Sequence, residues 1–144
     1  MVTVPFVCPD VPFLKHNPVF FYAADNFQKP APFKPDVVVS IDSVAEKKLA
    51  AIDVMESQFF EGGCLGSAAL IPKDRAKYPE RARQVRAEFT ARFQAWADKF
   101  RPQLAEWYGT AGSKQVRCAE GFELCEYGRQ PDKAELKRLF PFFN

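Results

Sequence analysis

The pattern of hydrophobic and polar positions divides the chain into a proline-rich start and a more regular remainder. Residues 1–36 carry seven of the twelve prolines. Proline fixes φ and removes a backbone donor, so this region cannot be mainly helix or central strand. Only Val19–Ala23 is free of proline and dense enough in β-formers to predict a strand. We expect the rest to be an extended, aromatic-rich loop that packs on the protein or lines a ligand cleft.

Residues 37–63 predict a strand that leads directly into a helix. Val37–Ile41 is a nearly continuous β-branched run, which is typical of strands covered on both faces in a parallel sheet. Ser43 and Glu46 have the spacing of a capping box. The apolar positions that follow fall on one helical face: Leu49, Ile52, Met55 and Phe59. A strand followed at once by a helix indicates an α/β fold.

Residues 79–109 give the clearest helical pattern, because apolar positions recur at steps of three and four. Pro102 should kink or restart this helix, and Gly109 should end it. The opposite face carries arginines interrupted by acidic residues, which indicates a solvated surface rather than a nucleic-acid site. These arginines are at positions 81, 83, 86 and 92.

Residues 114–144 predict a strand and a final helix. Val116–Cys125 mixes β-formers with polar positions. Asp132 and Glu135 again have cap spacing, so the last helix should open at Asp132. With 144 residues, 47% of them apolar, the chain fits a single domain, 1–144, that can bury a substantial core.

Charge and hydropathy narrow the classes of partner. The chain has 20 Lys and Arg against 18 Asp and Glu, so its formal net charge of +2 gives no argument for nucleic acid. No apolar run approaches the length of a membrane span, and no secretory signal pattern opens the chain. We therefore expect a cytoplasmic protein with neither a membrane nor a nucleic-acid partner.

The four cysteines do not have the spacing of a metal site. No Cys-x-x-Cys pair occurs, and His16 is the single histidine available to complete a ligand set. We expect reduced, buried thiols, because unpaired cysteines behave as small hydrophobes and the chain is rich enough in apolar residues not to need crosslinks. Disulfide pairing of the even number of cysteines is the alternative.

The order of three stretches resembles the PIG-L/LmbE superfamily of zinc-dependent de-N-acetylases. Asp36–Phe59 is similar to the family's strand, basic helix and His-x-Ser-Gln segment, and Cys118–Arg129 resembles its late Tyr-Ala-Glu-x-Phe segment. Met1–Asp10 with Asn17–Tyr22 is similar to a stretch that follows the second metal motif in a bacterial subgroup. The resemblance implies a partial Rossmann-like, three-layer α/β fold. It also implies hydrolysis of an N-acetyl amide on an amino sugar or related small molecule.

The departures from the family concern the zinc site. The family's Ala-His-Pro-Asp-Asp and His-x-x-His segments are absent from this sequence. Met55 stands where the family often has histidine, and Cys118 stands where it often has tyrosine. The resemblance therefore implies the C-terminal portion of a deacetylase, without catalytic or metal-binding residues, which alone binds no zinc and is inactive. A complementing N-terminal half, or a homo-oligomer, would be its partner. The alternative is a stand-alone, non-catalytic binding or oligomerisation module.

Five residues are candidates for substrate contacts. Glu120 stands at the family's late glutamate, although a solvated or salt-bridged glutamate at a strand end would look the same. Asp10, His16 and Asn17 lie in the proline-rich loop, where they could line a cleft or only bond nearby backbone. Arg129 could meet a carboxylate or a sugar hydroxyl.

Overall fold

The computed structural model describes residues 9–26, 28–63 and 66–143. They form two compact units. The first unit combines the described residues up to Val37 with those from Gly121 onward, and the second unit is Val38–Glu120.

Two short strands are followed by a run of helices, a third strand and a last helix. The strands are β1 (Phe21–Ala23), β2 (Val37–Ser40) and β3 (Ala119–Leu124). The α-helices are α1 (Ala45–Asp53), α2 (Tyr78–Lys99), α3 (Arg101–Ser113) and α4 (Lys133–Leu139). A π-helical turn at Glu56–Phe60 and 3₁₀ turns at Ala68–Leu70 and Arg75–Lys77 connect α1 to α2. The mixed α/β class predicted from the sequence is confirmed.

The three strands form one small sheet in the order β1-β3-β2. β1 pairs antiparallel with β3, with Tyr22 opposite Glu123. Beside β2, the Asp36 N–H donates to Phe122 O and the Ile41 N–H donates to Cys118 O, both at 2.9 Å. The partner number falls as the β2 number rises, so this pair is antiparallel too.

The parallel sheet expected for Val37–Ile41 is therefore wrong. The burial that suggested it is correct, because Val37 and Val38 are completely buried. A continuous β-branched run indicates a strand that is buried on both faces of its sheet. Here the strand with that burial is antiparallel to its neighbour.

In the first unit, aromatic side chains hold α4 against the sheet. The rings of Phe21 and Phe140 meet edge to face with centroids 5.4 Å apart, and those of Phe122 and Phe140 are 5.8 Å apart. The Asp132 carboxylate caps α4 by accepting the Glu135 N–H at 2.7 Å. The start predicted for this helix is confirmed.

In the second unit, α1 and α2 enclose an apolar core. Its buried members are Ile41, Leu49, Ile52, Phe60, Val85, Phe93 and Cys118. Phe60 also stacks on the ring of Tyr78, with centroids 5.1 Å apart. The apolar face predicted for residues 79–109 from steps of three and four is the face of α2 that packs in this core.

The helix after β2 is shorter than predicted. α1 ends at Asp53, and its N-cap residue is Val44, which makes no side-chain cap. The capping box of Ser43 and Glu46 is therefore wrong, because Glu46 pairs with Arg86 of α2 instead. Met55 is 41% exposed at the break before the π-helical turn. Phe59 reaches the core from that turn rather than from α1.

The predicted break at Pro102 is confirmed. α2 ends at Lys99, the backbone of Phe100 leaves helical geometry, and α3 begins with Pro102 in its first turn. Gly109 has φ of +72° and interrupts α3, as its glycine character predicted, although one more helical turn follows.

Two of the arginines on α2 make polar contacts with the segment before the helix. Arg81 donates to the Phe60 carbonyl at 2.8 Å, and Arg86 donates to Asp53 at 2.7 Å. These arginines fasten α2 to the segment before it. Within the described part of the chain, no helix is long and apolar enough to cross a membrane.

Candidate functional site

In the second unit, an ion pair joins α1 to the start of β3. Lys48, on α1, pairs with Glu120, on β3, and both side chains are about one-third exposed. The Lys48 ammonium also lies 4.8 Å from the centroid of the Phe93 ring, which favours a cation electrostatically. Burial lowers the pKa of Lys48, whereas the adjacent carboxylate favours its protonated form. The pair offers a partly exposed ammonium and carboxylate to a polar ligand.

Asp42 fixes the strand that carries Glu120. Its carboxylate accepts the Cys118 N–H at 2.7 Å and the Arg117 N–H at 3.0 Å. The carboxylate thereby joins the residues after β2 to the chain entering β3. This contact sets where Glu120 stands relative to α1.

The groups beside the ion pair are poor nucleophiles. Cys118 is a free, buried thiol, and burial raises its pKa, with the negative charge of Asp42 acting in the same direction. A thiol held protonated at neutral pH attacks carbonyls slowly. Tyr108 accepts the Ser40 N–H at 2.9 Å, and burial raises the pKa of its hydroxyl.

The first unit holds the other four predicted residues. Asp10, His16 and Asn17 are exposed in irregular chain. Arg129 lies beside this irregular segment, because its N–H donates to Pro18 O at 3.0 Å. Its guanidinium pairs with Glu135 at 2.5 Å, and this hydrogen bond raises the pKa of Arg129. The substrate-binding roles of these four residues and of Glu120 stay predictions.

The metal-binding side chains in the described ranges do not fit the zinc ion that the resemblance implies. Within residues 9–26, 28–63 and 66–143, no group of three or more His, Cys, Asp or Glu side chains could hold a metal. Near the ion pair, Asp42 already accepts two backbone N–H groups and Glu120 is held by Lys48. Zinc prefers nitrogen and sulfur donors in a tetrahedral set, and His16 alone cannot supply one.

The cysteine prediction can be followed for two of the four residues. Cys118 and Cys125 are both free and buried, as expected. Cys8 and Cys64 lie outside the described residues, as do Met1–Cys8 of the family-like N-terminal stretch.

The contact between Lys48 and Glu120 was missed from the sequence. The sequence allowed a salt-bridged Glu120 but did not identify Lys48 as its partner, and Asp42 and Cys118, which bond nearby, are 76 residues apart. The one available signal was the presence of both residues in segments that resemble the same family.

Comparisons with known proteins found no match: no family model, no curated protein and no solved structure is similar to this chain.

Proposed function

We propose that this chain forms the part of a PIG-L/LmbE-type deacetylase that supports the zinc site without providing it. The parent reaction would be hydrolysis of an N-acetyl amide on an amino sugar or a related small molecule. The zinc ligands and the catalytic carboxylate would come from segments of the family pattern that this sequence lacks. In this proposal the chain contributes scaffold and substrate-side contacts, with Glu120 and Lys48 at the mouth of the site.

The observation that carries the proposal is the meeting of the two family-like segments. Residues 36–59 and 118–129 resemble separate stretches of the family, and the Lys48–Glu120 ion pair joins them. Asp42 adds one hydrogen bond between the same segments, because its carboxylate accepts the Cys118 N–H at 2.7 Å. Segments that serve one site must be adjacent in the fold, and chance resemblance gives no reason for them to be.

The finer fold proposal is that β2 belongs to a larger Rossmann-like, three-layer sheet. Among the described strands, β2 has a neighbour on one side, which is β3. Its other edge is partly covered by Tyr108, whose hydroxyl accepts the Ser40 N–H. An almost entirely buried β-branched strand with one strand neighbour is suited to receive another strand.

The test is complementation. The purified chain is mixed with a second polypeptide that carries the Ala-His-Pro-Asp-Asp segment and the second histidine motif of the family. We expect a complex that binds zinc stoichiometrically by metal analysis and releases acetate from N-acetylglucosamine or a related amide, whereas the chain alone does neither. Failure to form a complex at any concentration tested, or stoichiometric zinc on the chain alone, would contradict the proposal.

A matched pair of variants tests the role of the ion pair. Glu120→Gln should reduce acetate release by the complex by about tenfold, because a charged hydrogen-bond partner is lost at the site. Glu88→Gln removes the same charge from an exposed position on α2 and should leave the rate unchanged. Equal rates for the two variants would remove Glu120 from the proposed site.

A second candidate function is a non-catalytic binding or oligomerisation module. It is favoured by Val11, Phe13 and Leu14, which are each about 60% exposed in the proline-rich segment. Neighbouring exposed apolar side chains often mark an interaction surface. Sedimentation of the chain alone separates the candidates: concentration-dependent association that Phe13→Ser abolishes would favour the module, and a monomer at all concentrations would count against it.

A further inference from the structure

The first unit contains a cleft that neither the deacetylase proposal nor the sequence-predicted site uses. Its volume is about 760 Å³, within the range of small-molecule sites. The cleft is formed by β1, the loop after β1, and the end of β3 with the turn beyond it. The chemistry of its lining comes from six side chains: Tyr22, Asp25, Lys29, Glu123, Glu126 and Tyr127.

The lining is strongly acidic for its size. Among the described lining residues, three carboxylates and one ammonium, that of Lys29, give a formal charge of −2. Hydrogen bonds from neighbouring residues hold the Glu123 and Glu126 carboxylates in place. Glu123 Oε2 accepts the Lys34 N–H at 3.0 Å, and Glu126 Oε2 accepts the Tyr22 hydroxyl at 3.1 Å. Each of these bonds uses one acceptor position of a carboxylate that has about four, so acceptor capacity remains for a bound donor.

Two tyrosine rings complete the lining. The side chains of Tyr22 and Tyr127 are 43% and 71% exposed. Hydrogen bonds with the Cys125 thiol and the Glu126 carboxylate raise the pKa of Tyr22 far above its usual range, so its ring stays an uncharged phenol. Neutral aromatic faces attract organic cations, and nearby carboxylates strengthen that attraction.

We propose that this cleft binds a small organic cation, whose protonated amine lies between the Glu123 and Glu126 carboxylates and whose carbon chain packs on Tyr22 and Tyr127. The net negative charge disfavours anionic ligands, and the aromatic faces favour an organic ammonium over a bare metal ion. The binding requires only the first unit. It therefore does not depend on zinc, on complementation or on the deacetylase proposal.

The first experiment compares two ligands of matched shape. The full chain, labelled with ¹⁵N, is titrated at low ionic strength with putrescine, and separately with 1,4-butanediol, which has the same four-carbon chain with hydroxyls in place of amines. Putrescine should give saturable amide shifts that concentrate at residues 22–25 and 123–127, and the diol should give none. Equal responses to both ligands, or putrescine shifts spread evenly over the chain, would overturn the proposal.

The second experiment separates the cleft from general surface charge. Glu126→Gln should weaken putrescine binding by about 5- to 10-fold, because it removes one carboxylate while the glutamine oxygen can still accept the Tyr22 hydroxyl. Glu88→Gln removes the same charge from an exposed position on α2 and should change the affinity by less than about twofold. Equal weakening by the two variants would overturn the proposal.

A third variant tests the aromatic contribution without changing the charge. Tyr127→Leu should weaken putrescine binding about threefold, the effect of losing one exposed cation–ring contact. Because Tyr127 is 71% exposed, this variant should melt at the wild-type temperature, so it keeps the test valid if Glu126→Gln is unstable. Unchanged affinity in Tyr127→Leu would refute the part assigned to the ring.

Discussion

Asp42→Ala is the most direct test of how the second unit is held together. The Asp42 carboxylate accepts the Cys118 N–H at 2.7 Å and the Arg117 N–H at 3.0 Å, and so fastens the entry of β3 to the end of β2. Alanine removes both acceptors and leaves the rest of β2 unchanged. If this contact fixes the position of Glu120, its loss should reduce stability more than the loss of an ordinary surface carboxylate.

The expected magnitude follows from the surroundings of the two donors. A hydrogen bond to a charged acceptor contributes about 1.5–3 kcal/mol. Arg117 is exposed, so water replaces most of its bond, whereas Cys118 is 8% exposed and its N–H is left without that partner. We therefore expect Asp42→Ala to reduce the free energy of unfolding by about 2–3 kcal/mol. Asp42→Asn keeps one side-chain oxygen and should cost about 1 kcal/mol.

Urea unfolding followed by circular dichroism measures this difference. Asp10→Ala is the matched control, because Asp10 is exposed in irregular chain and its replacement should change stability by less than about 0.5 kcal/mol. The reasoning would be refuted if Asp42→Ala and Asp10→Ala unfolded at the same urea concentration. If the Asp42→Ala protein does not fold, Asp42→Asn is compared with Asp10→Ala instead.

Two further predictions test the core and the Arg129 pair. Phe93→Ala should reduce the free energy of unfolding by about 3–5 kcal/mol, because Phe93 is 2% exposed. Phe142 is 54% exposed, so Phe142→Ala should reduce it by less than about 1 kcal/mol. Urea unfolding measures both losses, and similar values would contradict the assigned core. The hydrogen bond from Arg129 lowers the pKa of Glu135, so the stabilisation is present above the ordinary glutamate pKa and is lost as pH falls through the lowered folded value. Arg129→Gln should raise that pKa in an NMR titration, and an unchanged titration would show that the pair does not form in solution.

Much of the local structure could be predicted because its causes lie within a few residues. The cap of α4 depends on Asp132 and a backbone N–H three positions later, and the break between α2 and α3 depends on Pro102. The start of α1 could not be predicted in this way. The Glu46 side chain that would have completed its capping box is held by Arg86, 40 residues further along the chain.

The sequence by itself determined the mixed α/β class, the burial of Val37–Val39 and the positions of the long helices. These follow from periodicity, side-chain shape and local hydrogen bonding. Only the tertiary structure decided the antiparallel direction of the sheet, the pairing of Lys48 with Glu120 and the acidic lining of the cleft. Each of these depends on residues far apart in the chain, and local patterns do not record which distant partner completes a strand, an ion pair or a cleft.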